Sequence, residues 1–305
     1  MRGLVQKCVQ SINKQMANLP VTYEVLIADN SSQLEFAFTS DEAGAFKNAK
    51  IFIIENKGWV DALNFLFRKA QGELICISHP DIEYCDDCIS KLLSFLENHP
   101  DAGIIGPNMS YPDGSPNKIR LSFPTVKTES KRLLNTLTHI LFRKKFMLDE
   151  ILWDRQGDAD TDTVMSVCMI IRREIIDQIR SIPEAFYMYY ANDYICLHAN
   201  RQGFRNYYIK DADLIHYERF ADKKLYSSAT QLDYKQTAVP IVDRMERDKF
   251  LFLKSLCNWP TYKTFQLLST LESLIHAAAS IKQTRRLSNP VMKKYLESIK
   301  AVWRV

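Results

Sequence analysis

Apolar positions along the first hundred residues alternate between two periods. From Leu4 to about Ala17, the residues Leu4, Cys8, Ile12 and Met16 recur at the spacing of one helix face. Tyr23 to Ala28 is an apolar run of strand length, stopped by Asp29-Asn30-Ser31-Ser32. Ile51 to Ile54 predicts a second strand, closed by Asn56-Lys57-Gly58 as a turn. Val60 to Ala70 returns to helical spacing and ends at Gly72. Leu74 to Ile77 predicts a third strand, running into His79-Pro80-Asp81-Ile82-Glu83. Asp86 and Asp87 open a helix that stops near His99-Pro100, and Gly103 to Gly106 predicts a fourth strand. Short strands alternating with helices predict a doubly wound, mostly parallel α/β sheet with helices on both faces. Ligands of such sheets bind beyond the carboxyl ends of the strands, where Asp29 and Asp81 fall.

From about Asn108 to Thr163 the pattern is less regular. Tyr111 to Ser115 reads as a turn, Leu133 to Phe146 as a basic helical stretch, and Asp158, Asp160 and Asp162 as a solvated acidic loop. Alternating carboxylates can bind calcium, but no Gly or Glu follows at EF-hand positions. Val164 to Ile171 predicts a buried strand, Arg173 to Arg180 a helix, Asn192 to Arg201 a helix, and two short strands end at His216. Beyond about Leu225 the strand signals stop. Helices are expected near 236–257, 261–283 and 290–303, broken at Pro260 and Pro290. The pattern divides the chain into an α/β domain over 1–225 and a helical extension over 226–305.

Charge changes the picture at the tail. The net formal charge is +4, but Arg244 to Val305 holds 12 Lys/Arg against 4 Asp/Glu. The tail therefore suggests an anionic partner, and a membrane surface fits. Nucleic acid is not expected, because aromatic residues are not interleaved with the basic ones as in single-strand binders. Phe250, Leu251, Phe252 and Leu256, with Lys249 and Lys254 between them, suit a membrane-lying face or an ordinary packed helix. Arg285-Arg286, Lys293-Lys294 and Arg304 read as surface-binding. No apolar run reaches the roughly 18 residues of a spanning helix, and no signal peptide is visible. Seven scattered cysteines suit a reduced compartment. The expected location is cytoplasmic, peripheral on the inner face of the membrane. Cys85-x-x-Cys88 has no second pair and no His at zinc spacing, so it reads as two thiols on a first helical turn.

The residues that carry chemistry begin with Asp81-x-Glu83. Two carboxylates where the chain leaves a buried strand can hold Mg²⁺ or Mn²⁺ through oxygen, with phosphate and water completing the shell. That suits a nucleoside diphosphate. The motif does not stand alone. Val25 to Ser32, Asn56-Lys57-Gly58 with Ala62, Asn64, Ala70, Gly72 and Glu73, then His79-Pro-Asp-Ile-Glu83, Gly103-Ile-Ile-Gly-Pro107, Pro112-Asp-Gly114, Met169-Ile-Ile-Arg-Arg173, Phe186-Tyr-Met-Tyr189 and Ile215-His216 follow in order. This series resembles the family-two inverting glycosyltransferases, especially their rhamnosyltransferase-like branch, over about residues 4–217.

The resemblance implies a GT-A fold, a nucleoside-diphosphate sugar donor, and a glycan or lipid-linked glycan acceptor. By position it implies that Asp29 contacts the base, that Asn56, Lys57 and Gly58 belong to the nucleotide site, and that Asp81 holds the metal diphosphate with Glu83 and His216 as further ligands. Three departures stand out. The family's opening strand and Thr-Tyr-Asn-like loop have no counterpart before the first helix, so either the sheet lacks a central strand, or another segment replaces it, or Met1 is not the natural start. The usual Gly-Ala before the Arg-Arg strand end is Val167-Cys168. The family's base position holds Asn192, with Asp193 one residue later as the candidate base. One helix residue is a rotation of about 100°. The departures keep open a non-catalytic binding or scaffold subunit on the same fold, beside the active transferase.

Overall fold

In the computed structural model, which describes residues 2–31, 46, 48–142, 152–218, 241–284 and 290–305, the strands fall into two sheets. β1 (Val25–Asp29) and β2 (Ala49–Ile53) pair in parallel and form the first. The second holds β3 (Leu74–Ser78), β4 (Ile82–Tyr84), β5 (Ala102–Ser110), β6 (Ala159–Thr161), β7 (Cys168–Arg172) and β8 (Arg205–His216). Their order is β3-β7-β5-β8-β4, with β6 also on β8. β3, β5 and β8 run one way, and β7 runs against them between β3 and β5. No ladder joins β1 to β3 among the described residues, so the two sheets are separate there.

The early helices are α1 (Arg2–Met16), α2 (Trp59–Lys69) and α3 (Cys88–Asn98). α4 (Val126–Phe142), α5 (Arg173–Ile179) and α6 (Ala191–Arg201) follow. α7 (Ile241–Leu256), α8 (Trp259–Thr284) and α9 (Pro290–Arg304) form the C-terminal part. The apolar runs of β3, β5 and β7 supply the core, with Ile75, Ile77, Ile104, Ile105, Met169 and Ile171 all buried. Gly106 is required there: a Cβ would stand 2.5 Å from Val164 Cγ1, inside van der Waals contact.

Three expectations change. The two short strands before His216 are one 12-residue strand, β8. Pro107 faces Ile209 but Asn108 faces Asp213, so Lys210, Asp211 and Ala212 bulge from the ladder. The bulge re-aims the end of β8 toward β4, and Ile82 comes to face His216. The acidic loop is solvated as expected, but its middle residue, Asp160, joins strand β6. Asp160 pairs with Arg205, while Asp158 Oδ1 and Asp162 Oδ2 accept the backbone N–H groups of Lys210 and Phe123. The predicted strand over Val164 to Ile171 begins only at Cys168.

The tail is packed, not loose. Phe252 is fully buried in the main core, with its ring 5.2 Å from Phe123 and 5.7 Å from Tyr190. Phe250, Leu253, Tyr262, Phe265 and Val302 make a smaller core between α7, α8 and α9. Phe250 and Phe252 therefore face inward rather than toward a membrane. The boundary at 225/226, residues 143–146 of the basic stretch, and Arg285-Arg286 lie outside the described residues.

Candidate active site

The chain leaves β3 through His79-Pro80-Asp81 and re-enters the sheet as β4. Two backbone bonds fix this turn: the His79 N–H donates to Val167 O at 2.9 Å, and the Tyr217 N–H donates to Asp81 O at 2.8 Å. Asp81 and His216 are both buried, with Nε2 of the ring 3.6 Å from Oδ2 of the carboxylate. The His79 ring stands edge-on to His216 at 6.2 Å. One ligand atom from each of the three residues lies within 4.8 Å of the others. Burial pushes His79 down to about 4, helped by His216 and opposed by Asp81, so its imidazole is neutral with a lone pair to offer. Burial acts to raise Asp81, but its interaction with the His216 ring outweighs it and holds the carboxyl below its usual range.

Asn117 supports the cluster from behind. Its buried amide meets His216 Nδ1 at 3.1 Å, and its Oδ1 has no partner among the described residues. The two ends of an amide are assigned from hydrogen bonding. The Asn117 amide at Nδ1 and the Asp81 carboxylate at Nε2 bracket the His216 ring and fix its orientation. Two imidazoles and one carboxylate fit a divalent first-row ion such as Mn²⁺, while Mg²⁺ prefers a shell of oxygen. Glu83 is not part of this set. Its carboxylate turns toward α1, 2.9 Å from Lys7 Nζ, and accepts the Tyr217 hydroxyl at 2.7 Å. Among the described residues the group that could hold an ion is therefore His79, Asp81 and His216, without Glu83.

Asn56, Lys57 and Gly58 form the turn before α2. Asn56 Oδ1 accepts the Gly58 N–H at 3.2 Å, and Lys57 pairs with Glu55 at the surface. Gly58 has φ +111°, a region that L side chains rarely enter, and a Cβ there would meet the Tyr187 ring at 3.1 Å. The next residue, Trp59, stands edge-on to His79 at 6.3 Å. The turn thus adjoins the cluster through one ring contact. Asp29 lies at the end of β1, and its Oδ1 accepts the Ser31 N–H and hydroxyl at 3.0 and 2.6 Å.

α6 begins at Ala191, after Tyr190 in a left-handed conformation. Asn192 is partly exposed and donates to Val164 O at 2.9 Å and to Thr163 Oγ1 at 3.3 Å. Asp193 is buried, and its carboxylate is paired with Arg120. Asn117 and Arg120 stand on one loop, so a single segment touches both His216 and Asp193. The loop before α6 is held from the tail. Fully buried Asp248 accepts the N–H groups of Tyr187, Met188 and Tyr189 at 2.9 to 3.2 Å. The Arg244 guanidinium lies 4.1 Å above the Tyr187 ring.

Sequence reasoning missed His79, Asn117, Arg120 and Asp248. His79 carried a signal, since it stands two residues before Asp81 on the same strand-end turn. The other three are brought in by tertiary structure alone.

The α/β architecture, with its mostly parallel central sheet, is that of the GT-A class of glycosyltransferase folds. The chain belongs to glycosyl transferase family 2, whose model matches residues 2–180. The match stops short of Asp193 and His216. N-acetylglucosaminyl-diphospho-decaprenol L-rhamnosyltransferase from two strains of Mycobacterium tuberculosis is 18% identical over 178 residues, 56% of this chain. The chain spans about half, 55%, of the length of these curated relatives. A Pyrobaculum calidifontis mannosyltransferase, solved with GDP-Man and Mn²⁺, aligns with all of this chain and 83% of its own. Its TM-score is 0.53 and its identity 12%, a likeness of fold.

Proposed function

We propose that the chain transfers a hexose or deoxyhexose from a nucleoside-diphosphate donor to a hydroxyl of a glycan or lipid-linked glycan, with inversion and with Mg²⁺ or Mn²⁺. The observation that carries this reading is the His79–Asp81–His216 cluster beside the Asn56-Lys57-Gly58 turn. Two relatives lend support by name: one transfers L-rhamnose to a decaprenol-linked acceptor, and the other was solved with GDP-Man and Mn²⁺.

In this reading His79, Asp81 and His216 hold the ion. When bound, the ion offsets the charge of the departing diphosphate. Asp29 meets the nucleotide base, and the Asn56-Lys57-Gly58 turn lies along the nucleotide. As the acceptor oxygen bonds to the anomeric carbon, the carbon–oxygen bond to the diphosphate breaks. Asp193 takes the hydroxyl proton, with Arg120 orienting its carboxylate. A lipid-linked acceptor places the protein peripherally, on the cytoplasmic face of a membrane.

The second reading, a binding or scaffold subunit without turnover, has one observation in its favour. The first turn of α6 offers an amide at Asn192 and a carboxylate already paired with Arg120. Assays of donor hydrolysis and of transfer to lipid-linked acceptors, with Mn²⁺, separate the two. Turnover that is lost in Asp81→Asn supports the transferase. Nucleotide binding with no turnover from any donor supports the subunit.

A further inference from the structure

α8 is 26 residues long and apolar on more than one side. One side is spoken for: Tyr262, Phe265, Gln266, Ser269, Ser273 and Ala277 are buried. Leu267, Leu271 and Leu274 are instead 56, 48 and 46% exposed. With exposed Ala278 they form a stripe at spacings of four and three residues, about 17 Å long at 1.5 Å per residue. No charged residue interrupts it. Trp259 at the start of α8 is 71% exposed, and Trp303 on the neighbouring α9 is 47% exposed. The Lys263 ammonium lies 5.7 Å from the Trp259 ring and 5.0 Å from the Trp303 ring, and Trp303 Nε1 donates to Thr270 Oγ1. α8 and α9 therefore present one surface with two indoles and a lysine at one end and leucines along the rest.

The charge of this surface says what covers it. Arg247, Lys254, Lys294, Lys300 and Arg304 are exposed on α7 and α9. Of the acids, Asp248 is buried, Glu246 accepts the Ser269 hydroxyl, Glu272 pairs with Arg132 of α4, and Glu297 pairs with Lys300, which leaves Arg247, Lys254, Lys294 and Arg304 as the excess. A second copy docking by twofold symmetry would set this positive surface against itself. An anionic lipid surface is attracted to it instead, takes the leucines into the acyl boundary and leaves indole and ammonium groups at the headgroup level. No helix among the described residues is long and apolar enough to cross a membrane.

We propose that the α8–α9 face, through Leu267, Leu271, Leu274, Trp259, Trp303 and Lys263, docks the protein on anionic lipid bilayers. The proposal goes beyond the catalytic reading and locates the contact away from Phe250 and Phe252, which are interior.

Flotation of the full chain with equimolar phosphatidylglycerol–phosphatidylcholine vesicles, against phosphatidylcholine alone, tests it. Binding is expected only to the anionic vesicles. Leu271→Glu with Leu274→Glu is expected to weaken partitioning at least about tenfold, and Lys263→Glu at least about fivefold. Circular dichroism and thermal melting confirm that the variants fold. The proposal is overturned if the wild type ignores anionic vesicles, binds both kinds equally, or is matched by the variants. It is also overturned if sedimentation velocity shows that the leucine substitutions dissociate a dimer, which gives the face to a second copy. Nucleotide binding by the same variants is read separately, so loss of lipid contact is not confused with failure of the glycosyltransferase reading.

Discussion

Arg120, on the loop after β5, places its guanidinium 2.5 Å from the buried carboxylate of Asp193 in the first turn of α6. The pair joins the candidate base to the loop that also carries Asn117 against His216. Asp193→Asn is expected to abolish transfer while leaving nucleotide affinity within about twofold, because the ion site is untouched. It also leaves the Arg120 charge without its partner and costs about 2 kcal/mol of stability, read by chemical unfolding. Asn192→Asp is expected to be neutral or activating. Undiminished transfer in Asp193→Asn rules this residue out as the base.

Asn117 acts through His216. Removing it in Asn117→Ala frees the ring to turn and to exchange tautomers. Mn²⁺ affinity, followed by electron paramagnetic resonance, is expected to fall about tenfold. Unfolding stability should move far less than after a core truncation. Unchanged Mn²⁺ affinity means that the amide is a packing group only.

Asp248 connects the tail to the site. Its carboxylate is pushed up by burial and opposed by three backbone N–H bonds, and Asp248→Ala leaves those three donors unpaired in the interior. A loss of about 2–4 kcal/mol in unfolding free energy is expected. Proteolysis should then cut near Tyr187 to Tyr189 sooner than in the wild type. A variant as stable and resistant as wild type would show that α7 does not hold this loop.

Much of the frame was legible because its signals are local. The apolar runs of β1 to β3 and the periodicity of α1, α2 and α3 come within two residues of the observed bounds. Asp81 stood out by its place at a strand end, and His216 by the resemblance in the closing strand. What stayed hidden depends on contacts distant in sequence. The bulge at Lys210 to Ala212 fuses two expected strands into β8 and sets His216 opposite Ile82. Glu83 stands two residues after Asp81, in β4, but Lys7 and Tyr217 hold its carboxylate. The sequence around Phe250 and Phe252 suits a lipid-facing or a packed helix alike, and Phe123, Tyr190 and Tyr262 decide for packing.

Metal dependence of nucleotide binding bears most directly on the site. Calorimetric titration of UDP, dTDP or GDP into the chain with Mn²⁺ is expected to show binding. That binding should vanish with EDTA and in Asp81→Asn, weaken strongly in His79→Ala, and persist in Glu83→Gln. Equal nucleotide affinity with EDTA present, or an intact affinity in Asp81→Asn, would contradict a nucleotide held through the His79–Asp81–His216 cluster.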